Sequence, residues 1–342
     1  MTCPVHPRVL RAALFALVTA ACAANDDDPE QVAIDRVKQI VARELDGLVA
    51  GAEGLRTTAP APDADGWNAQ ADASAVTDMR AHWGDAHDAY EHVEGAIAVL
   101  FPDLDAATDE RYDGFIAEAP DDDLFDDQGV IGIHAVERVL WADTQPGWVV
   151  EFESALPGYQ PAAYPADATQ ATAFREQLLT RLVDDTHRMR DDFEPLALDA
   201  AAAYGGVMGS MAEQAEKISL GATGEDESRY AQRTLADMRA NLAGAREIFD
   251  AFTPWLQDAG AHDVIDDVHA QLDVVAAAYD AIEGDALPAV PATWSATAPS
   301  EADLQTPYGQ LWQLLQQQNQ ADTGVVARML DGADRLGIPV SP

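Results

Sequence analysis

The stretch "GIHAVERVLW", Gly132 to Trp141, decides how this chain is read. Ile133, Val136, Val139 and Leu140 recur at helical spacing and form an apolar stripe, so the segment predicts a helix with one buried side. His134 and Glu137 stand three positions apart, which on a helix makes them neighbours on one face. An imidazole and a carboxylate are thus aimed together beside the stripe that must be buried. The residues alone allow two readings. The pair is a capped or solvent-facing hydrogen bond, or it ligates a metal ion.

Outward from this segment the same periodicity continues. Almost everything after residue 30 is Ala-rich with Leu and Val at helical spacing, and helices are expected at about 29–54, 67–101, 107–118, 128–141, 169–193, 196–218, 225–257, 262–283 and 304–336. Breakers bracket them: "TTAPAPDADG" after the first, "QPGW" and "ALPGYQPAAYP" after the motif helix, and "ALPAVPATWSATAPSEAD" before the last. Long helices on short connections pack as antiparallel bundles, so the fold class is all-α. The proline-rich "LPGYQPAAYP" divides the chain near residue 160 into two helical halves, between which no repeat stands out. Neither a glycine-rich phosphate loop nor a CxxC pair is present, which leaves nucleotide and redox readings without support.

Composition narrows the function. Twenty Lys+Arg face 60 Asp+Glu, a net charge of −40. Such a surface lacks the basic footprint that nucleic acid needs, and it gains nothing from anionic lipid. Its field concentrates cations instead. Arg8 and Arg11 precede the apolar run "AALFALVTAAC", which fits an export leader over residues 1–21. The run ends in Thr19-Ala20-Ala21-Cys22, a lipobox-like sequence in which Cys22 would be lipidated; ordinary cleavage after Ala21 is the alternative. Residues 22–28 then read as a polar tether, and residues 29–342 as the folded part, in contact with membrane only through the anchor. Only one cysteine, Cys22, lies beyond the leader run's start, so stability is expected from the core and not from a disulfide.

A second group of acids lies upstream. In "AYEHVEGAIAVLF", Glu91 and Glu94 again stand three apart, and "PDLDAATDER" adds Asp105 and Asp109. Imidazole with carboxylates inside a helical bundle is a donor set for iron, zinc or manganese. His82, His87 and His92 recur every five residues and so are read as surface, while His187, His262 and His269 have no evident partner. Residue 138 is arginine, so neither HExxH nor HxxEH is present and zincin geometry is missing.

These blocks resemble the imelysin-like family. "GIHAVERVLW" is similar to its GxHxxE signature. "AYEHVEGAIAVLFPDLDAATDER" resembles the Tyr-Glu-x-x-Glu, Asp-Leu-Asp and Ile-Asp-x-Arg pattern of EfeO/EfeM-type iron-uptake members, with one extra residue before "PDLD" and Thr108 in place of isoleucine. "AEQAEKISLGATGEDESRYAQRTLADMRANLAGARE" is similar to a third block, with a small insertion in "SLGATGEDESRY". Together the blocks cover about residues 75–250. The resemblance implies two fused four-helix bundles, an exported lipoprotein of the shorter EfeM type in the periplasm or on the outer membrane, and a metal site. Carried over residue by residue, the ligands fall on Glu91, Glu94, Asp109, His134 and Glu137, with a further acid near Glu213. Iron is the implied cargo, zinc or copper the other candidates, and an iron permease or peroxidase-like protein the implied partner. Two other functions stay open: a binder of polysaccharide or another extracellular ligand with a structural metal, and a metallopeptidase.

Overall fold

The computed structural model describes residues 28–68 and 70–340; the leader and Cys22 lie outside the described residues. It is all-helical, with no strand among the described residues. The long helices are α1 (Pro29–Thr58), α2 (Ala73–Leu100), α9 (Ala200–Leu220), α10 (Thr234–Asp258) and α11 (His262–Asp280). Between α2 and α9 run α3 (Pro102–Asp109), α4 (Tyr112–Glu118), α5 (Gly132–Leu140), α6 (Gly147–Ser154), α7 (Ala168–Ala173) and α8 (Leu179–Phe193), the last two joined through a π turn at Phe174–Leu178. Helices α12 (Pro307–Gln318) and α13 (Val325–Leu336) close the chain. No helix among the described residues is long and apolar enough to cross a membrane.

Local chemistry accounts for the helix starts. The Asp28 side chain accepts from the Glu30 N–H at 3.2 Å, and Pro29 occupies the first turn, where its missing N–H costs nothing. Asp167 and Asp199 cap α7 and α9 in the same way. Packing then orders the helices. Helix α1 lies against α2, α8 and α10, and α2 also packs on α9 and α10. A single hydrophobic core runs from Ala33 to Ile338, and helices from both sides of residue 160 contribute to it.

Most expected helices start or stop a few residues away from their expected ends, and among the larger differences the first two shape the site. The helix expected over 107–118 is two, because Glu110 and Arg111 adopt extended backbone and end α3 at Asp109. The helix expected from 225 starts only at Thr234; residues 221–233 are turns in which Glu227, Ser228, Arg229 and Tyr230 are buried. The final expected helix breaks between Gln318 and Val325. Helix α6 gave no periodicity signal that stood out.

Candidate metal centre

All nine residues of α5 are buried, so its His134, Glu137 and Arg138 need partners inside the protein. The helix begins at Gly132 with φ +85°, where a Cβ would lie 2.4 Å from the Thr108 carbonyl oxygen. Only glycine lets the start of α5 lie on the last turn of α3. That approach sets His134 Nε2 3.3 Å from Asp109 Oδ1. His134 Nδ1 bonds Glu137 Oε2 at 2.7 Å, and since a carboxylate only accepts, Nδ1 carries the proton. Glu137 Oε1 accepts the backbone N–H groups of Tyr230 and Ala231 at 2.9 and 2.7 Å. Glu137 is therefore filled by protein donors. It holds the ring so that Nε2 points inward, the arrangement that orients metal-ligating histidines.

Helix α2 contributes the opposite wall. Gly95 allows it to approach α9, since a Cβ there would meet the Gly206 carbonyl oxygen at 2.4 Å. Across that contact Lys217, 3 % exposed, reaches Glu91 at 3.0 Å, Glu94 at 3.0 Å and Glu227 at 3.5 Å. Asn241 of α10 donates to Glu91 and, at 3.0 Å, to Glu94. Glu227 lies 3.1 Å from Arg111 and 3.5 Å from His134 Nε2.

Of the residues expected from sequence, Glu91, Glu94, Asp109 and His134 thus surround one spot, while Glu137 stands behind His134. Glu213 joins Glu94, Asp105, Asp109, Arg111, Lys217 and Glu227 around a cavity of about 270 Å³, rimmed by the exposed Glu110 and Glu216. His87 corrects the surface reading. It is fully buried, its Nε2 3.4 Å from Glu91 Oε1 and 4.0 Å from Asp109 Oδ1. The signal was available, because His87 precedes Glu91 by four positions and so shares its face. Lys217 and Glu227 were missed as well, since a lysine and a loop acid carry no spacing rule of their own. His187 pairs instead with Glu53 at the surface, at 2.9 Å.

The electrostatics follow from crowding acids out of water. Burial and then Glu94 push the Glu213 carboxyl up to about 9, and burial pushes Asp105 up to about 7. Burial together with Glu94 also holds Glu91 well above the carboxylate range, because one ammonium cannot neutralise three acids. Burial opposes the charge on Glu227, yet Lys217, His134 and Arg111 outweigh it and hold that group well below its ordinary value. For His134 burial likewise disfavours the cation, but Asp109, Glu137 and Glu227 raise it well above an ordinary imidazole.

Buried His134 Nε2, His87 Nε2, Asp109 Oδ1 and Glu213 Oε2 make no hydrogen bond of good geometry. Donor atoms of His87, Asp109 and His134 all lie within 4.8 Å of one another, as do those of Glu91, Asp109 and Glu227. Unpaired polar atoms converging in a protein interior fit a cation, and nitrogen with oxygen donors suits a first-row transition metal. Asp109 also ends α3, at the negative end of the helix dipole; burial there opposes its charge, yet His134 and Lys217 outweigh it and hold the carboxyl below its ordinary value.

Fold and site together define an all-helical protein with a buried imidazole–carboxylate centre. The imelysin (peptidase M75) family model matches residues 50–318, and the chain belongs to that family. It is 28% identical over 198 residues to the iron uptake system component EfeO of Escherichia coli (strain K12), an alignment covering 57% of this chain and 43% of the relative. The EfeO protein of Shigella flexneri matches to the same extent. The chain therefore pairs with less than half the length of these curated relatives. An imelysin-like protein of solved structure from Psychrobacter arcticum 273-4 aligns over 92% of this chain and 94% of its own, with a TM-score of 0.51 and 13% identity, a likeness of fold.

Proposed function

We propose that this protein is an exported metal-binding component of iron uptake, which captures a transition-metal cation at the buried centre and passes it on. The observation that carries the reading is the convergence of unpaired buried donors, His134 Nε2 and Asp109 Oδ1, 3.3 Å apart beneath an acidic cavity. The acidic rim and the net charge of −40 favour cation capture. The likeness to EfeO makes iron the cargo to test first, ahead of zinc and copper, and makes an iron permease or peroxidase-like protein the partner to test. Delivery by lipidation at Cys22 completes the reading, with the protein held in the periplasm or on the outer membrane.

The test is direct. Protein purified without chelator is expected to contain about one first-row metal ion per chain and to melt higher with metal than after its removal, because the ion binds only the folded state. Metal-free protein whose melting temperature ignores iron, zinc and copper overturns the reading. Cys22→Ser is expected to release the protein from membranes.

A further inference from the structure

We propose that His87 is an inner ligand of this centre, which makes it a two-histidine, one-carboxylate site of His87, His134 and Asp109. The inference rests on the metal-binding reading above and deepens it.

The two imidazoles are built alike. His87 Nδ1 lies 3.1 Å from Asp237 Oδ1, and Asp237 in turn accepts from the Ser228 hydroxyl. Because Asp237 only accepts, His87 carries its proton on Nδ1 and presents the Nε2 lone pair to the centre. This repeats the Glu137–His134 pairing on the other wall. The ring is fixed further by Trp83, which stacks on it at 4.7 Å while its indole N–H donates to the Ile133 carbonyl at 2.9 Å. One tryptophan thereby ties the His87 ring to the first turn of α5, the turn that aims His134.

Distances agree with a shared ion. Ligand bonds of about 2.0–2.1 Å in a tetrahedral site place donor atoms roughly 3.3 Å apart. His134 Nε2 stands 3.3 Å from Asp109 Oδ1, His87 Nε2 stands 4.0 Å from the same oxygen, and all three donors lie within 4.8 Å of one another, so an inward shift of the His87 ring on the order of 1 Å closes the set. By contrast, Glu91 is already occupied by Lys217 at 3.0 and 3.1 Å and by Asn241, and Glu94 by Lys217 and Asn241 at 3.0 Å each. These acids have positive or N–H partners; the two Nε2 atoms have none. Two imidazoles with one carboxylate select a borderline divalent cation, ferrous iron or zinc, over a hard oxygen-seeking ion.

The deciding experiment loads the full-length protein with cupric ion and counts coordinated imidazoles by pulsed electron paramagnetic resonance. Two imidazole nitrogens are expected in wild type and one in His87→Gln. His87→Gln is expected to weaken zinc binding on the order of 100-fold, and Asp237→Asn by about 10-fold through the loss of ring orientation. A single imidazole in wild type overturns the assignment even if the variant fails to fold. So does a folded His87→Gln protein that binds zinc within twofold of wild type. Wild type that binds neither copper nor zinc defeats the parent reading itself, a result distinct from either of these.

Discussion

The two walls of the centre treat buried charge differently. On the α2/α9 wall, Glu91 and Glu94 share the ammonium of Lys217 and the amide of Asn241, and Glu91 is still held well above the carboxylate range by burial and by Glu94. On the α5/α3 wall, Glu137 fixes His134 from behind, and Nε2 and Asp109 Oδ1 face each other with nothing between them. Burying charges without a partner is expensive. The first wall is therefore stabilised by the lysine ammonium it carries, while the second keeps a proton on His134 that an incoming cation would have to displace. Acid count alone would favour the glutamates as the seat of the proposed ion; partner count favours the histidines.

The comparison can be broken most severely by separating the walls. His134 and Asp109 precede residue 160, whereas Lys217, Glu227 and Asp237 follow it, and one core joins them. Fragments 26–160 and 161–342 are expected not to fold cooperatively or bind metal when made alone, as followed by circular dichroism. Next in size is Lys217→Met. It strips the ammonium from three buried carboxyl groups and is expected to cost about 3–5 kcal/mol of stability, a fall in melting temperature of roughly 10 °C, partly restored by added zinc. If the variant melts like wild type, the α2/α9 wall is not held by its lysine.

His134→Ala acts on the other wall. It is expected to reduce metal affinity on the order of 100-fold, about 2.7 kcal/mol, with little change in the surface control His187→Ala. Equal losses in both would place the ion elsewhere.

The smallest expected effect is on pH. Glu213 and Asp105 have carboxyls raised to about 9 and about 7, above their ordinary values near 4, and His134 is raised as well. Groups whose folded pKa is raised bind more protons folded than unfolded, so stability is lost as pH climbs through that window. Metal-free protein is thus expected to melt higher at pH 5 than at pH 8 by several degrees, on the order of 5 °C. Bound metal should shrink or invert the difference, because it replaces those protons. Melting curves with and without metal check this, and a metal-free protein more stable at pH 8 contradicts the sign.

Much of the fold was legible because α1, α2, α10 and α11 are long enough for their 3.6-residue pattern to dominate. Their ends were less so: α3 stops at Asp109 through backbone geometry at Glu110 and Arg111 that no pattern announces. Within the site, i, i+3 spacing made His134 with Glu137 and Glu91 with Glu94 visible. Spacing could not say that Glu137 would turn its other oxygen to the backbone of Tyr230 and Ala231, since those amides arrive from 93 and 94 residues away. His87 differs for another reason: its five-residue interval with His82 and His92 points to no shared face, whereas its four-residue interval with Glu91 puts both on one face of α2. Lys217 and Glu227 matter only through contacts across α2, α9 and the 221–233 turns, which helical periodicity does not encode.

The central claim is that this buried centre takes one transition-metal cation. Anaerobic titration calorimetry of metal-free protein with ferrous ion, repeated with zinc at pH 6 and pH 8, tests it most directly. The expected result is one ion per chain, proton release on binding, and tighter binding at pH 8 than at pH 6, because the ion must displace the proton of His134. No saturable binding of either ion at pH 8 would contradict it.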